Sequence, residues 1–220
     1  MQSGGGARMS SFFSAFNEVG PLIIKNRAFL AKIFINLIVQ LAITYYVLVN
    51  YPTPENKWPY IIGIFALLLI IIGTDLPYWA KAIVFAGFSY LFGRLLARYK
   101  EKYGEDAVKG GVAGALGIFS IMFLVGAAMP VLGDKFGFGL FVALLGLLIA
   151  ELLNLFFAKS SVLKKILAGV GIGVFGLYVM YDTNNILKRA DYYKGDYITA
   201  SMDYYLDIIN LFGDIIRIEN

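Results

Sequence analysis

The chain has 220 residues, 59% of them hydrophobic and only 15% charged, with a mean hydropathy of +0.72 that excludes an ordinary soluble domain and reads as a multi-pass integral membrane protein. Cysteine and histidine are both absent, which excludes thiolate nucleophiles, disulfides, imidazole bases and the usual zinc and haem ligands, so carboxylates must carry any chemistry. The net charge of +4 is scattered over short loops, where anionic lipid rather than nucleic acid is the expected neighbour.

Residues 1–28 form a polar N-terminal segment, expected to be partly disordered, and 29–220 a single transmembrane helical bundle. The opening MQSGGGARMSSFFSAFNEVG is rich in Gly and Ser, and no apolar core precedes a small-residue cleavage site, so it does not read as a signal peptide. Met1 and Met9 are both candidate starts. Apolar windows place helices at 29–50, 58–74, 78–97, 110–132, 136–157, 166–187 and 198–218, an all-α membrane fold of about seven helices. YPTPENKWP and GTDLP are turns, and ARYKEKYGED is the most charged connection. With seven crossings, nine Lys and Arg fall on the N-terminal side and ten opposite, so charge sets no orientation. Gly110 with Gly114, and Gly169 with Gly173, have the spacing that lets helices approach closely. Gly171, Gly173 and Gly176 also spell GxGxxG, but inside an apolar run with no preceding strand, which rules out the dinucleotide reading.

The last segment, ITASMDYYLDIINLFGDIIRI, carries Asp203, Asp207, Asp214 and Arg217. Each Asp costs roughly 2.5 to 3.5 kcal/mol near a helix centre, and each Ile, Leu or Phe returns only about 0.3 to 0.6. The acids outweigh the nine such residues between 198 and 218, so other helices must surround this one and its carboxylates must face the interior or a wet cavity.

The loop KRADYYKGDY joins the last two helices and gives them a common starting level. At 1.5 Å per residue, Asp182 lies about 9 Å from its end of the loop, Asp203 about 8 Å and Asp207 about 14 Å. Asp203 and Asp207 are i and i+4 on one face, so Asp182 meets at least one of them easily. Two carboxylates close together in low dielectric share a proton and titrate as a unit. Protonated, the pair can lock two helices; ionised, it repels itself or takes up a cation. Calcium suits such a site, with amides such as Asn184, Asn185 and Asn210 beside transient Asp182 and Asp207 ligands. Asp214 and Arg217 read as an i, i+3 ion pair, and Glu151 with Asn154 as a further polar lining. The bland alternative is that the acids are solvated at the membrane face or paired with Lys188, Arg189 or Arg217.

YDTNNIL followed by YYLDIINLF, with 25 residues from Asp182 to Asp207, resembles the Bax inhibitor-1 family, also called the transmembrane BAX inhibitor motif family, in a bacterial-type member. LLIAELLNLFF, with Asn154, extends the resemblance upstream; the first 100 or so residues share only hydropathy. The resemblance implies six helices around a partly inserted C-terminal one, and a pH-sensitive calcium leak governed by an aspartate pair matching Asp182 and Asp207. It implies no tightly bound cofactor, with calcium as the permeant ion. It also implies a basic latch after the second helix, for which GTDLPYWAK offers Lys81, with Arg217 as a second candidate. Asp203 is an addition to the family pattern.

Two other classes remain open. YD in one helix and LFGD at 211–214 are reminiscent of intramembrane aspartyl proteases, but the GxGD glycine and a later PAL segment are missing, and the expectation is no enzyme. A protease requires Asp182 beside Asp214; a leak switch requires Asp182 beside Asp207. The second class is a non-transporting regulatory or interaction protein, of the stress or cell-death modulator type. The expected setting is the bacterial cytoplasmic membrane, with the lipid bilayer and calcium as partners, a monomer, and protein partners open.

Overall fold

The computed structural model describes residues 16–189 and 191–219, and every regular element among them is helical. Helix α1 covers 16–25. It is followed by α2 (Arg27–Asn50), α3 (Trp58–Gly73), α4 (Tyr78–Ala128), α5 (Asp134–Leu153), a π turn (Asn154–Ala158), α6 (Ser161–Lys188) and α7 (Tyr197–Glu219).

The polar segment expected up to residue 28 lies outside the described residues for 1–15, and from residue 16 it is helix instead. Phe16, Val19 and Ile23 recur at helical spacing; Val19 is buried and the other two pack on the core. Asn26 Nδ2 donates to the Leu187 carbonyl at 3.2 Å, tying α1 to the end of α6.

The spans expected at 78–97 and 110–132 are the two arms of α4, and the charged connection between them is helical. ARYKEKYGED has no Pro and is dominated by residues that propagate helix at little cost. The break comes only at Gly104, whose φ of 85° favours glycine. There the chain folds back. Leu96 and Val112, on opposite sides of Gly104, line one apolar cavity. Phe88 and Phe119 would be about 46 Å apart on a straight helix. Instead their rings lie 5.9 Å from Tyr205 and 5.0 Å from Tyr204 respectively.

Helix α7 lies at the centre, with 15 of its 23 residues buried, packed against α2, α4 and α6. That is where the cost of its acids in lipid puts it. Arg27–Asn50, Tyr78–Ala128, Asp134–Ala158 and Ser161–Lys188 are long and apolar enough to cross a membrane; α7 is not in that class. Helices α3 and α5 are apolar yet mostly exposed, burying only Ile64 and Ile71, and Leu140 and Leu147. In a bilayer their outer faces meet hydrocarbon.

Of the glycines expected at helix contacts, Gly114 is closely packed, but the other tight approaches fall on different glycines. Gly111 and Gly114 face Ile216 and Ile215, whereas a Cβ on Gly110 would come only within 3.8 Å of Glu219. In α6 it is Gly171 that is crowded, against the Asp214 carboxylate, while Gly173 faces open space. The contact face is set by the rotation of each helix toward α7, which a four-residue spacing does not specify. The tightest approach to backbone is at Gly126, where a Cβ would collide with the Met180 carbonyl oxygen. Gly126→Ala should therefore destabilise the protein by about 1 to 3 kcal/mol, through forced separation of α4 from α6. Gly173→Ala should be neutral or mildly stabilising, and thermal unfolding of both variants in detergent checks the pair.

Candidate functional site

The stretch YDTNN at the end of α6 sends successive side chains in different directions, because each residue turns about 100° around the helix. Asp182 faces a cavity shared with α5 and α7. Thr183 Oγ1 lies 2.8 Å from the Tyr204 hydroxyl of α7. Asn184 Nδ2 donates to the carbonyls of Gly126, Met129 and Pro130 at 3.0 to 3.2 Å. Its Oδ1 accepts from Leu132 N at 2.8 Å, so it satisfies backbone groups left open where α4 ends. Asn185 Oδ1 accepts from Arg189 Nη1 at 3.2 Å, while its Nδ2 has no acceptor among the described residues.

The cavity has a volume of about 600 Å³ and is bounded by α5, α6 and α7. Asp182, Asp203 and Asp207 all line it, with Tyr178, Tyr181 and Asn210. Asp182 and Asp207 are buried. Asp203 Oδ2 accepts from the Tyr193 hydroxyl at 2.8 Å. Asp207 Oδ2 is buried and receives no hydrogen bond from the described residues. A buried orphan oxygen of this kind calls for an explanation, such as a proton, a water or a cation.

The cavity lining on α5 begins at Asp134 and reaches Glu151, about 26 Å of helix, most of the roughly 30 Å of a hydrocarbon core. At one end Asp134 pairs with Arg189 at 2.9 Å, and Arg189 lies over the Tyr192 ring. At the other, Arg217 Nη1 donates to Glu151 Oε1 at 2.8 Å, and Arg217 also pairs with Asp214. Arg217 and Glu151 border a second cavity as well. Asn154 is turned away from the acids and clasps the chain after the π turn, with Ser160 N donating to its Oδ1 at 3.0 Å. Asn210 Nδ2 donates to the Leu206 carbonyl at 2.8 Å.

Among the described residues no three acidic side chains converge closely enough to hold a metal ion.

A family model described as "Inhibitor of apoptosis-promoting Bax1" matches residues 26–219. The chain belongs to the Bax inhibitor-1 family. An uncharacterized protein of Helicobacter pylori strain J99 is 32% identical over 169 residues, which is 74% of this chain and 71% of that protein. The BI1-like protein of Arabidopsis thaliana is 39% identical over 79 residues, 36% of this chain and 30% of the relative. A Golgi anti-apoptotic protein of vaccinia virus is 37% identical over 85 residues, 39% of this chain and 35% of the relative. The chain thus matches only about a third of the length of the plant and viral relatives.

In this Bax inhibitor-1 family member Lys81, expected as a latch on the first aspartate, reaches a different acid. Its Nζ lies 2.7 Å from Asp196 Oδ2, in the turn before α7. Asp196 also caps α7, accepting from Ile198 N and Thr199 N at 3.1 Å and from Thr199 Oγ1 at 2.9 Å. The other latch candidate, Arg217, is held by Glu151 and Asp214.

Hydropathy does not single out the polar seam beside the acids. Asn36 donates to Ser201 Oγ at 2.5 Å, Gln40 accepts from Ser89 Oγ at 2.9 Å, and Thr44 Oγ1 lies 2.6 Å from the Tyr205 hydroxyl. The signal is their spacing: three polar residues at i, i+4 and i+8 in a run, 33–49, that is otherwise hydrophobic share one face.

Burial works against the charge of Asp196, but Lys81 and the Thr199 hydroxyl and N–H outweigh it and hold the carboxyl below its ordinary value. The contribution of a depressed carboxyl is fully present above the unfolded value of about 4 and is lost as pH falls through the folded value. The tie is therefore constant from pH 5 to 8. Asp196→Ala should cost about 1 to 3 kcal/mol, from the lost cap and the orphaned lysine, equally across that range. Thermal unfolding in detergent at several pH values checks both statements.

Proposed function

We propose that this protein is a pH-sensitive calcium leak channel whose gate is the proton-sharing pair Asp182 and Asp207. The observation that carries the reading is the long cavity between α5, α6 and α7, in which both acids are buried. Two carboxylates in low dielectric hold one proton between them, and loss of that proton leaves adjacent negative charges that repel or attract a cation. The orphan oxygen of Asp207 is an acceptor available to that proton or to calcium. Calcium is cargo here, and its oxygen preference matches a lining of carboxylates, tyrosines and Asn210.

Asp203 joins the pair as a third acid tuned by Tyr193. Arg217 with Glu151 forms a charged constriction at the far end of the path. The Helicobacter relatives favour a bacterial cytoplasmic membrane as the setting. A protease would require Asp182 to work with Asp214, but Asp214 is paired with Arg217 and is absent from the lining that holds Asp182. The anti-apoptotic name of the viral relative supports the other reading, a regulatory protein without transport, in which the same acids set bundle stability.

Reconstitution in liposomes enclosing a calcium indicator, across pH 5 to 8, separates the two. A protein-dependent influx that varies with pH in the wild type and loses that dependence in Asp207→Asn is the expected result. No flux above empty liposomes, from protein with a wild-type unfolding profile, would transfer the proposal to the regulatory reading.

A further inference from the structure

The second cavity, of about 760 Å³, lies where the arms of α4 turn at Gly104, α5 ends and α6 begins. Along α7 the lining residue Arg217 is 20 positions from Tyr197, about 30 Å from the α6–α7 turn. This places the cavity at the opposite membrane surface, the level of lipid headgroups. Arg98, Lys102, Lys159, Lys164 and Arg217 line it against a single carboxylate, Glu151. Glu151 is already engaged by Arg217, and among the described residues none of the other four cations has an acidic partner.

The backbone is shaped toward the same spot. Lys159 follows the π turn with φ of 49°, a left-handed conformation that costs energy in a residue with a side chain. The Asn154 clasp on Ser160 holds it there. Helix α6 begins beside the cavity with Lys164 in its first turns, where its dipole disfavours a cation. Four cations without an acidic partner among the described residues thus meet a helix N-terminus. The lining also holds the exposed Leu152 and Leu155, and Phe156 next to them in the chain is exposed as well.

We propose that this cavity binds the phosphate of an anionic phospholipid headgroup, with the acyl chains lying along the Leu152, Leu155 and Phe156 surface. The shared chemistry is a phosphate among lysines and arginines. Those exposed apolar side chains assign it to a lipid rather than to free phosphate, and basic pockets between membrane helices are suited to such headgroups.

The test uses the full-length protein in detergent, titrated with short-chain phosphatidylglycerol, with phosphatidylcholine of the same chains, and with inorganic phosphate. Binding is followed by calorimetry. Phosphatidylglycerol should bind at least tenfold more tightly than either of the others. Lys102→Gln with Lys164→Gln should remove that preference, whereas Lys109→Gln with Lys165→Gln, outside the cavity lining at the same surface, should keep it. Lys102 and Lys164 are exposed and the double variant should unfold at the wild-type temperature; should it not, Lys159→Gln alone provides the same comparison. Equal binding of both lipids, or equal loss in both double variants, would overturn the site. Inorganic phosphate binding as tightly as phosphatidylglycerol would overturn the lipid assignment. Calcium flux does not enter the readout, so the outcome is independent of the proposed channel.

Discussion

The helix that holds this bundle together is the one least able to sit in lipid. Helix α7 carries buried Asp207 and Asp214 and a partly buried Asp203, and an acid inside a membrane must be enclosed by protein or water. The architecture follows from that cost: α2, α4 and α6 close around α7, and the most apolar helices, α3 and α5, are left outside. The aromatic cage around Tyr204 and Tyr205, built from Phe85, Phe88 and Phe119 among others, supplies close packing to a helix that hydrophobicity alone would not retain. The seam of Asn36, Gln40 and Thr44 then satisfies polar groups of α7 and α4 that this enclosure takes out of water.

Enclosure also sorts charge along the membrane normal. Asp182, Asp203 and Asp207 collect in the cavity beside α5, and four cations without an acidic partner among the described residues in the cavity beyond it. Arg217, paired with Glu151 and Asp214, stands on the boundary between the two. A guanidinium suits this position, since its planar set of donors can serve two carboxylates at once without losing its charge.

Where a feature depends on covalent spacing, it is legible in the residues. Asp182 and Asp207 flank one short turn, so their depths follow from helical rise, and the structure places both on one cavity. The pairing of Asp214 with Arg217 is a one-turn relation and is equally readable. The family motif is readable for the same reason, since both halves lie on adjacent helices. What depends on rotation or on loop shape is not readable. Lys81 has to choose between Asp182 and Asp196, and the turn before α7 decides. The charged connection in α4 breaks the apolar pattern from which spans are read, but its residues propagate helix until Gly104. Gly171 rather than Gly173 faces a neighbour because α6 is rotated to present it to Asp214.

The walls of the acidic cavity are held in different ways. Helix α6 is anchored at its end by Asn184, which grips the end of α4, and α7 is enclosed by three helices and fastened at its start through Asp196 and Lys81. Helix α5 packs chiefly on α6 and is held by one ion pair near each end, Asp134 with Arg189 and Glu151 with Arg217. Any widening of the acidic cavity by movement of α5 therefore has to work against those two pairs. The width of that cavity is thus tied to the charge state of residues at its two ends, Asp134 and Glu151 on α5 with their arginines.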